Sequence, residues 1–144
     1  MTTLYVAEAA LLQLLRERMP EADIHPAIPA DAAGPAIGFQ HNSGRPVFQR
    51  PDSMGSGSSR VWDEHVYQVC VVAPGSTLSV VEHLASEIDK ALMPVCGLEV
   101  ASGGIVHQVT LDAPLRMSYL GEDGLLRQVA GGFYRLKVTV DPLS

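Results

Sequence analysis

The stretch IVHQVTLDAPLRMSYLGEDGLLRQVAGGFYRLKVTV, residues 105–140, carries the strongest structural signal in the chain. Asp123-Gly124 lies near its middle, and an Asp-Gly pair between alternating apolar residues is typical of a tight β-hairpin turn. Pairing Leu120 with Leu125 around this turn sets the register of two long antiparallel arms. The stretch therefore predicts a long C-terminal β-hairpin.

This register sorts the side chains of the two arms into two faces. The apolar face pairs Ile105 with Val140, His107 with Val138, Val109 with Leu136, and Leu111 with Tyr134. The other face is mostly polar and pairs Val106 with Thr139, Gln108 with Lys137, and Thr110 with Arg135. A shift by one residue would mix the two sets, so the pattern favours this register over its neighbours.

Two residues of the hairpin have special positions in this register. Pro114 lies opposite Gly131 and next to Gly132, so we expect a bend or bulge there that re-aims the hairpin tip. His107 falls on the apolar face, where a hydrogen-bonded core histidine is expected rather than a metal ligand.

Two amphipathic helices are predicted outside the hairpin. The first covers residues 3–19, and its apolar residues recur at helical spacing: Leu4, Ala7, Leu11, Leu14 and Leu15. The second lies in PGSTLSVVEHLASEIDKALMP, with an apolar stripe of Val81, Leu84, Ile88 and Leu92. Pro20 and Pro94 end the two helices.

The remaining strands are shorter or lie between these elements. Three prolines limit any strand in the region after the first helix to short pieces near residues 24–27 and 36–40. The run VYQVCVV, residues 66–72, predicts a central strand, and residues 98–101 predict another. Helices segregated from mostly antiparallel strands predict an α+β fold. We expect a single domain, residues 1–144, in which two α-helices cover one sheet.

Composition excludes several classes of protein. The formal net charge of the 144 residues is −6, which argues against a protein that grips nucleic acid phosphates. No apolar run is long enough to cross a membrane, and the N-terminus lacks the pattern of a signal peptide. Cys70 and Cys96 have no partner spacing, so we expect a reduced intracellular protein with small buried thiols.

Motifs for catalysis, cofactors or metals do not emerge from the sequence. The five histidines, His25, His41, His65, His83 and His107, lack the short spacings of zinc sites. GSGSSR at residues 55–60 lacks the Lys-Ser/Thr ending of a phosphate loop and precedes a strand instead of a helix. We therefore predict no enzyme, no catalytic residues, no cofactor and no metal.

The order of elements resembles the tail-terminator, or tail-completion, proteins of long-tailed bacteriophages. The resemblance spans nearly the whole chain. It rests on the opening helix AEAALLQLLRERMP, the proline-broken DIHPAIPADAAGPAIGFQH, the strand and helix in HVYQVCVVAPGSTLSVVEHLASEIDKAL, and the closing GLLRQVAGGFYRLKVTV. One departure is the long, glycine-rich loop expected at about 42–60.

The resemblance implies a structural virion protein of the tail–neck junction, assembled in the host cytoplasm. Such proteins form a homohexameric ring that caps the tail tube, ends its polymerisation and offers a joining surface to the head. The implied partners are other copies of the chain, the tail tube protein, a neck or head-completion protein and, in some tails, the sheath. DNA would pass through the lumen without specific binding, and no membrane is involved.

The expected loop then acquires a role as an interface. A segment that cannot pack on its own domain can order against a neighbour. Arginines in and beside it provide charge-assisted donors, and its large apolar residues provide anchors. The predicted interface residues are Arg45, Phe48, Arg50, Met54, Arg60 and Trp62. The alternative is a solvent loop with no role.

Other functions remain open at this point. The nearest alternative is a head–tail connector, a stopper ring or another minor tail protein. More distant ones are a bacterial interaction module with an α+β fold and a small enzyme whose site is assembled from distant residues.

Overall fold

A computed structural model describes residues 2–48, 60–75, 78–101 and 103–140 of the chain. Its helices are α1 (Thr3–Arg18) and α2 (Leu78–Leu92). Its strands are β1 (Ile24–His25), β2 (Ala36–Phe48), β3 (Arg60–Pro74), β4 (Cys96–Glu99), β5 (Ile105–Leu120) and β6 (Leu126–Thr139). The α+β class is confirmed.

The six strands form one sheet in the order β1-β2-β3-β6-β5-β4. All neighbours are antiparallel except β1 and β2. The run at residues 66–72 lies in β3, which is flanked by β2 and β6 and is central as predicted. Two antiparallel hairpins, β2-β3 and β5-β6, thus lie side by side at the core of the sheet, with short strands at both sides.

Both helices pack on one face of the sheet, called here the helix face. The buried side of α1 consists of Val6, Ala7, Ala10, Leu11, Leu14 and Leu15. In α2 the buried residues are Val81, Ala85, Ile88, Ala91 and Leu92. They share one core with alternate residues of the strands, among them Tyr67, Leu136 and Val138. Arg18 ties the two helices together by donating from Nη1 to the carbonyl oxygen of Ala91 at 2.6 Å.

The opposite face, called here the open face, is covered only in part. A small cluster of Cys70, Val72 and Val129 packs there against Ile28, Leu115 and Tyr119. Ile28 belongs to the segment between β1 and β2, which passes close to the sheet. A Cβ added at Gly38 would lie 2.1 Å from the carbonyl oxygen of Ala27, so this close passage requires glycine. Farther along the open face lie polar and charged side chains, among them Glu64 and Arg135.

The register of the C-terminal hairpin is confirmed in its middle and differs towards both ends. Gln108 pairs with Lys137 and Val109 with Leu136, and the pairing continues through Leu111 and Tyr134 as predicted. A bulge between Val106 and Gln108 and another between Leu111 and Ala113 each insert one extra residue into β5. Beyond the bulges the predicted register is wrong by one residue. The pairs there are Ile105 with Thr139, Val106 with Val138, Pro114 with Gly132, and Leu120 with Leu126.

The first bulge reverses the prediction for His107. An extra residue exchanges the faces of the residues beyond it, so Val106 is the one that enters the core. His107 is exposed instead of buried, and its Nε2 lies 2.9 Å from the hydroxyl of Thr139. The bend expected near Pro114 is present as the second bulge, one to two residues earlier.

Two further predictions are corrected. The loop expected at about 42–60 begins later, because residues 42–48 belong to β2, where they pair with β3; residues 49–59 lie outside the described residues. Both cysteines are free thiols, but only Cys70 is buried, and Cys96 is exposed on the short edge strand β4. Strand pairing thus includes residues 42–48, although their composition suggests a loop.

Candidate interaction surface

A band of paired charges crosses four strands of the open face. We call it the charged band; its members are Arg45 on β2, Glu64 on β3, Arg135 on β6 and Asp112 on β5. Oε2 of Glu64 accepts from Nη1 of Arg135 at 2.6 Å and from Nη2 of Arg45 at 3.2 Å. Arg135 also donates from Nη2 to Oδ2 of Asp112 at 2.8 Å and from Nε to Oδ1 at 3.1 Å. Asp112 is the extra residue of the second bulge, so this contact depends on the bulge.

Trp62 and Lys137 extend the band towards one end of the sheet. Nε1 of Trp62 donates to Oε1 of Glu64 at 3.3 Å, so both oxygens of this carboxylate have partners. The ammonium nitrogen of Lys137 lies 5.1 Å from the centroid of the Trp62 ring, within range of a cation–π interaction. The indole is therefore held between a carboxylate and an ammonium group.

The electrostatics of the band hold its groups in their charged forms. Burial opposes ionisation of Glu64, but hydrogen bonds from Arg135, Trp62 and Arg45 outweigh it and lower the pKa of this carboxyl. Hydrogen bonds to Asp112 and Glu64 raise the pKa of Arg135. A fixed network of this kind can position a partner surface, whereas a general acid or base needs a pKa near the working pH.

A groove lies beside this end of the charged band, at the base of the β5–β6 hairpin. It has a volume of about 820 Å³, and we call it the basal groove. Side chains of β3, β6, β5 and β4 and of the turn after α2 line it, among them Trp62, Met93, Cys96, His107, Gln108 and Lys137. Its surface combines an aromatic ring, apolar groups, an ammonium group and an imidazole.

The opposite end of the hairpin is a rigid tip. We call residues 120–126 the hairpin tip. Gly124 has a φ of 80°, and the Gly121 amide donates to the Leu125 carbonyl at 2.9 Å. The guanidinium of Arg127 binds the Asp123 carboxylate through Nη1 at 2.9 Å and Nη2 at 2.8 Å, and its Nε donates to the Ala32 carbonyl. This two-pronged pair lowers the pKa of Asp123 to about 2 and clamps the turn.

Two edges of the sheet remain without a neighbouring strand among the described residues. β1 pairs only with Ile37 and Gly38 of β2, and β4 reaches no farther along β5 than Gln108. The remaining lengths of β2 and β5 each contain a bulge and a proline, Pro46 and Pro114. Bulges and prolines hinder the addition of another strand. The open face and the tip are therefore better suited than the edges to contacts with other molecules.

One hydrogen-bonded group has the residue types of a catalytic site. The Thr3 hydroxyl lies 2.9 Å from Nε2 of His65 and donates to the Asp63 carboxylate, and Nδ1 of His65 lies 3.1 Å from Nε2 of His41. Burial, followed by the nearby His41, lowers the pKa of His65. The group joins the start of α1 to β2 and β3 and does not line the basal groove. It fits a structural clasp between helix and sheet.

Other chemical groups offer no further site in the described part of the chain. Burial raises the pKa of the Cys70 thiol to about 11, which keeps it protonated and unreactive. No cluster of three or more His, Cys, Asp or Glu residues could hold a metal ion among the described residues. No helix within them has the length and apolar character to span a membrane.

The fold itself has a counterpart in a solved virion. A chain in the structure titled virion of native gene transfer agent (GTA) particle matches with a TM-score of 0.56. The match covers 91% of this chain and 92% of that chain at 15% sequence identity. No protein-family model matches the sequence, and no curated protein gives a significant match. At this identity the comparison shows a shared fold over nearly the full length of both chains.

The structure brings together two of the six predicted interface residues. Arg45 and Trp62 both donate to Glu64. Phe48 and Arg60 pair through their backbones where β2 ends and β3 begins. Arg50 and Met54 lie outside the described residues. The interface role of all six remains a prediction.

Other members of the surface could not be found from sequence reasoning. Glu64, Asp112, Arg135 and Lys137 come from three strands and meet only through the strand order and a bulge. Arg127 is different, because its spacing of four residues from Asp123 across a tight turn is a detectable signal.

Proposed function

We propose that this chain is a structural subunit of a phage-like virion and, within it, the tail terminator. In this role copies of the chain form a ring of six on the last ring of the tail tube. The ring ends tube polymerisation and offers a surface to the neck. The observation that carries the proposal is the fold shared over nearly its full length with a chain of a gene transfer agent virion, a phage-like particle.

The layout of the surface supports a structural role. A ring subunit has to contact two neighbouring copies through two different patches, because the contact between copies is heterologous. It also has to contact the tube on one side and the neck on the other. The charged band, the basal groove and the hairpin tip provide chemically distinct surfaces in different parts of one rigid sheet.

The chemistry of the charged band fits recognition better than turnover. Its carboxylates and guanidinium groups neutralise one another in fixed geometry, and its open side presents donors from Arg45. Arginine side chains are enriched at protein interfaces. We propose that this band contacts the tube or the neck and that the segment from Phe48 to Arg60, which adjoins it in the chain, belongs to the same contact.

Net charge makes assembly sensitive to salt. Each subunit carries a formal charge of −6, so copies repel one another at low ionic strength. At about 0.15 M salt the Debye length falls to about 8 Å, which screens this repulsion but leaves close contacts intact. We expect isolated subunits to remain monomeric at low salt and to assemble when salt or a tail tube is present. An acidic lumen would also let DNA pass without sticking.

The test is capping of purified tail tubes by this protein. Native mass spectrometry at several salt concentrations gives the oligomeric state, and electron microscopy of the tubes shows where the protein binds. Six-subunit caps at one end of each tube support the proposal.

A matched pair of variants links the result to the open face. Arg45→Glu would place a second carboxylate against Glu64 and should reduce capping, whereas Arg16→Glu on the exposed side of α1 should not. A stable twofold dimer that ignores tubes would contradict the terminator role. Binding to the head vertex without binding to tubes would instead identify a connector or stopper.

A further inference from the structure

The hairpin tip exposes more apolar surface than a solvent-facing turn requires. Leu120 is 71% exposed, and Leu125 and Leu126 are also exposed, so three leucines lie within seven residues at the end of the sheet. Met117, on the adjoining arm, is exposed as well. Glu122 adds a carboxylate at the turn, and none of the described residues pairs with it. Contiguous exposed apolar residues with a polar rim are typical of interaction sites.

The tip is also held in one conformation. The Asp123–Arg127 pair and the hydrogen bonds across the turn fix its backbone, and the hydroxyl of Tyr119 anchors the arm by donating to the carbonyl of Ala30. The Arg127 side chain is only 2% exposed, although it lies within a few residues of the turn. A surface that is already ordered loses little conformational entropy on binding. The Asp123–Arg127 pair therefore holds the leucines and Glu122 in a fixed arrangement before docking.

The basal groove is complementary to the tip in both chemistry and charge. Trp62 and Met93 supply apolar surface, and Lys137 supplies a positive charge that no carboxylate among the described residues neutralises by an ion pair. His107 adds a second nitrogen-bearing group at the exposed side of the groove. A half-buried tryptophan with a cation beside it is the kind of anchor on which interface energies concentrate. Leucines would pack on the indole while Glu122 meets Lys137.

Tip and groove of one copy cannot meet each other. Lys137 and Leu126 lie on the same strand, and eleven extended residues span about 36 Å at about 3.3 Å each. Any contact between the two surfaces is therefore between copies. A single contact of this kind is heterologous, because it joins two different patches.

We propose that the hairpin tip of one copy docks in the basal groove of the next copy. The occupant of the groove is thus a second copy of this chain, presenting Leu120, Leu125 and Glu122. This inference deepens the proposed function, on which it rests, because it names the contact through which copies join. Repetition of this one contact builds a ring when the angle between copies closes, and a filament when it does not.

Cysteine trapping tests the contact, and Cys96 supplies the thiol on the groove side. Leu125→Cys combined with Cys96→Ser places a thiol on the tip and removes the one in the groove. This tip variant is mixed with the wild-type chain at about 0.15 M salt, which screens the net repulsion. The mixture is then oxidised. Isotope labelling of one partner separates mixed disulfides from homodimers by mass. Cys70 does not compete, because it is fully buried.

Docking should give disulfides between position 125 of one chain and Cys96 of the other. Their yield should exceed that of a control mixture by about tenfold, since docking raises the effective concentration of the two thiols. The control is Glu17→Cys combined with Cys96→Ser, which places a thiol on the exposed side of α1. Equal yields in both mixtures, or homodimers of the tip variant as the main product, would overturn the proposal.

A charge exchange provides a second readout. Glu122→Lys in the tip variant, or Lys137→Glu in its partner, should each lower the mixed yield several-fold, and the two together should restore it. Additive losses without restoration would contradict the pairing of Glu122 with Lys137. Trapping uses the isolated protein, so tube capping is judged separately. If the protein caps tubes but gives no mixed disulfides, this contact is refuted and the terminator role is not. If mixed disulfides form but tubes are not capped, the terminator role is refuted and this contact is not.

Discussion

Truncation of two neighbouring residues of β6 tests the register on which the fold rests. Leu136→Ala removes a side chain that is fully buried between Val109 on β5 and His65 on β3, beneath the two helices. Leu→Ala changes in cores cost about 2–5 kcal/mol, because transfer energy is lost and a cavity remains. Strands on both sides and the helices that cover this face limit the collapse of the site, so we expect about 3 kcal/mol. That loss lowers the folding equilibrium constant by about 150-fold at 25 °C.

Lys137→Ala is the matched control on the other face of the same strand. Its main described interaction is with Trp62, and cation–π contacts at exposed sites contribute about 0.5–1 kcal/mol. The free energy of unfolding should therefore fall by less than about 1 kcal/mol. The two variants change adjacent positions of one strand, and each introduces alanine. The strand propensity of the introduced residue therefore does not account for a difference in their stability.

Urea unfolding followed by circular dichroism measures both changes. With a slope near 2 kcal/mol per molar urea, the Leu136→Ala midpoint should fall by about 1.5 M and that of Lys137→Ala by less than about 0.5 M. The thermal midpoint of Leu136→Ala should fall by about 6–12 °C for a domain of this size. Equal losses, or a larger loss for Lys137→Ala, would refute the assignment of Leu136 to the helix face and the register built on it.

Two further predictions concern titrating groups. The pKa of His65 is lowered in the folded protein, so the folded state binds fewer protons than the unfolded chain. The neutral histidine therefore contributes fully to the free energy of unfolding above pH about 6.5. This contribution should be lost as the pH falls through the folded pKa, by at most about 1.4 kcal/mol per pH unit. His65→Gln should reduce the dependence of the urea midpoint on pH, measured between about pH 7.5 and 5. A pH dependence that His65→Gln leaves unchanged, or one that the control His25→Gln abolishes, would contradict the assignment. Arg127→Gln should return the Asp123 pKa from about 2 towards about 3.9 in an NMR titration and speed amide exchange in residues 121–126. An Asp123 pKa that stays near 2 in this variant would show that another group holds the carboxylate.

Local patterns in the sequence were sufficient for the fold class and for the elements. The 3.6-residue spacing of apolar side chains located both helices, and period-two alternation around Asp123-Gly124 located the long hairpin with the correct register from Gln108 to Leu111. These features depend on neighbours along the chain, so the sequence alone is enough to infer them.

Tertiary structure alone decided the bulges, the clasp and the surfaces. A bulge adds one residue to a strand without a distinctive residue type, so the alternation of apolar and polar residues does not reveal it. The predicted register was therefore wrong beyond the bulges of β5 at His107 and Asp112. The segment at 42–48 became a strand because β3 pairs with it, although its own residues favour a loop. The charged band and the basal groove collect side chains from four strands. Which strands lie side by side is set by the burial of the common core, and no spacing along the chain encodes it.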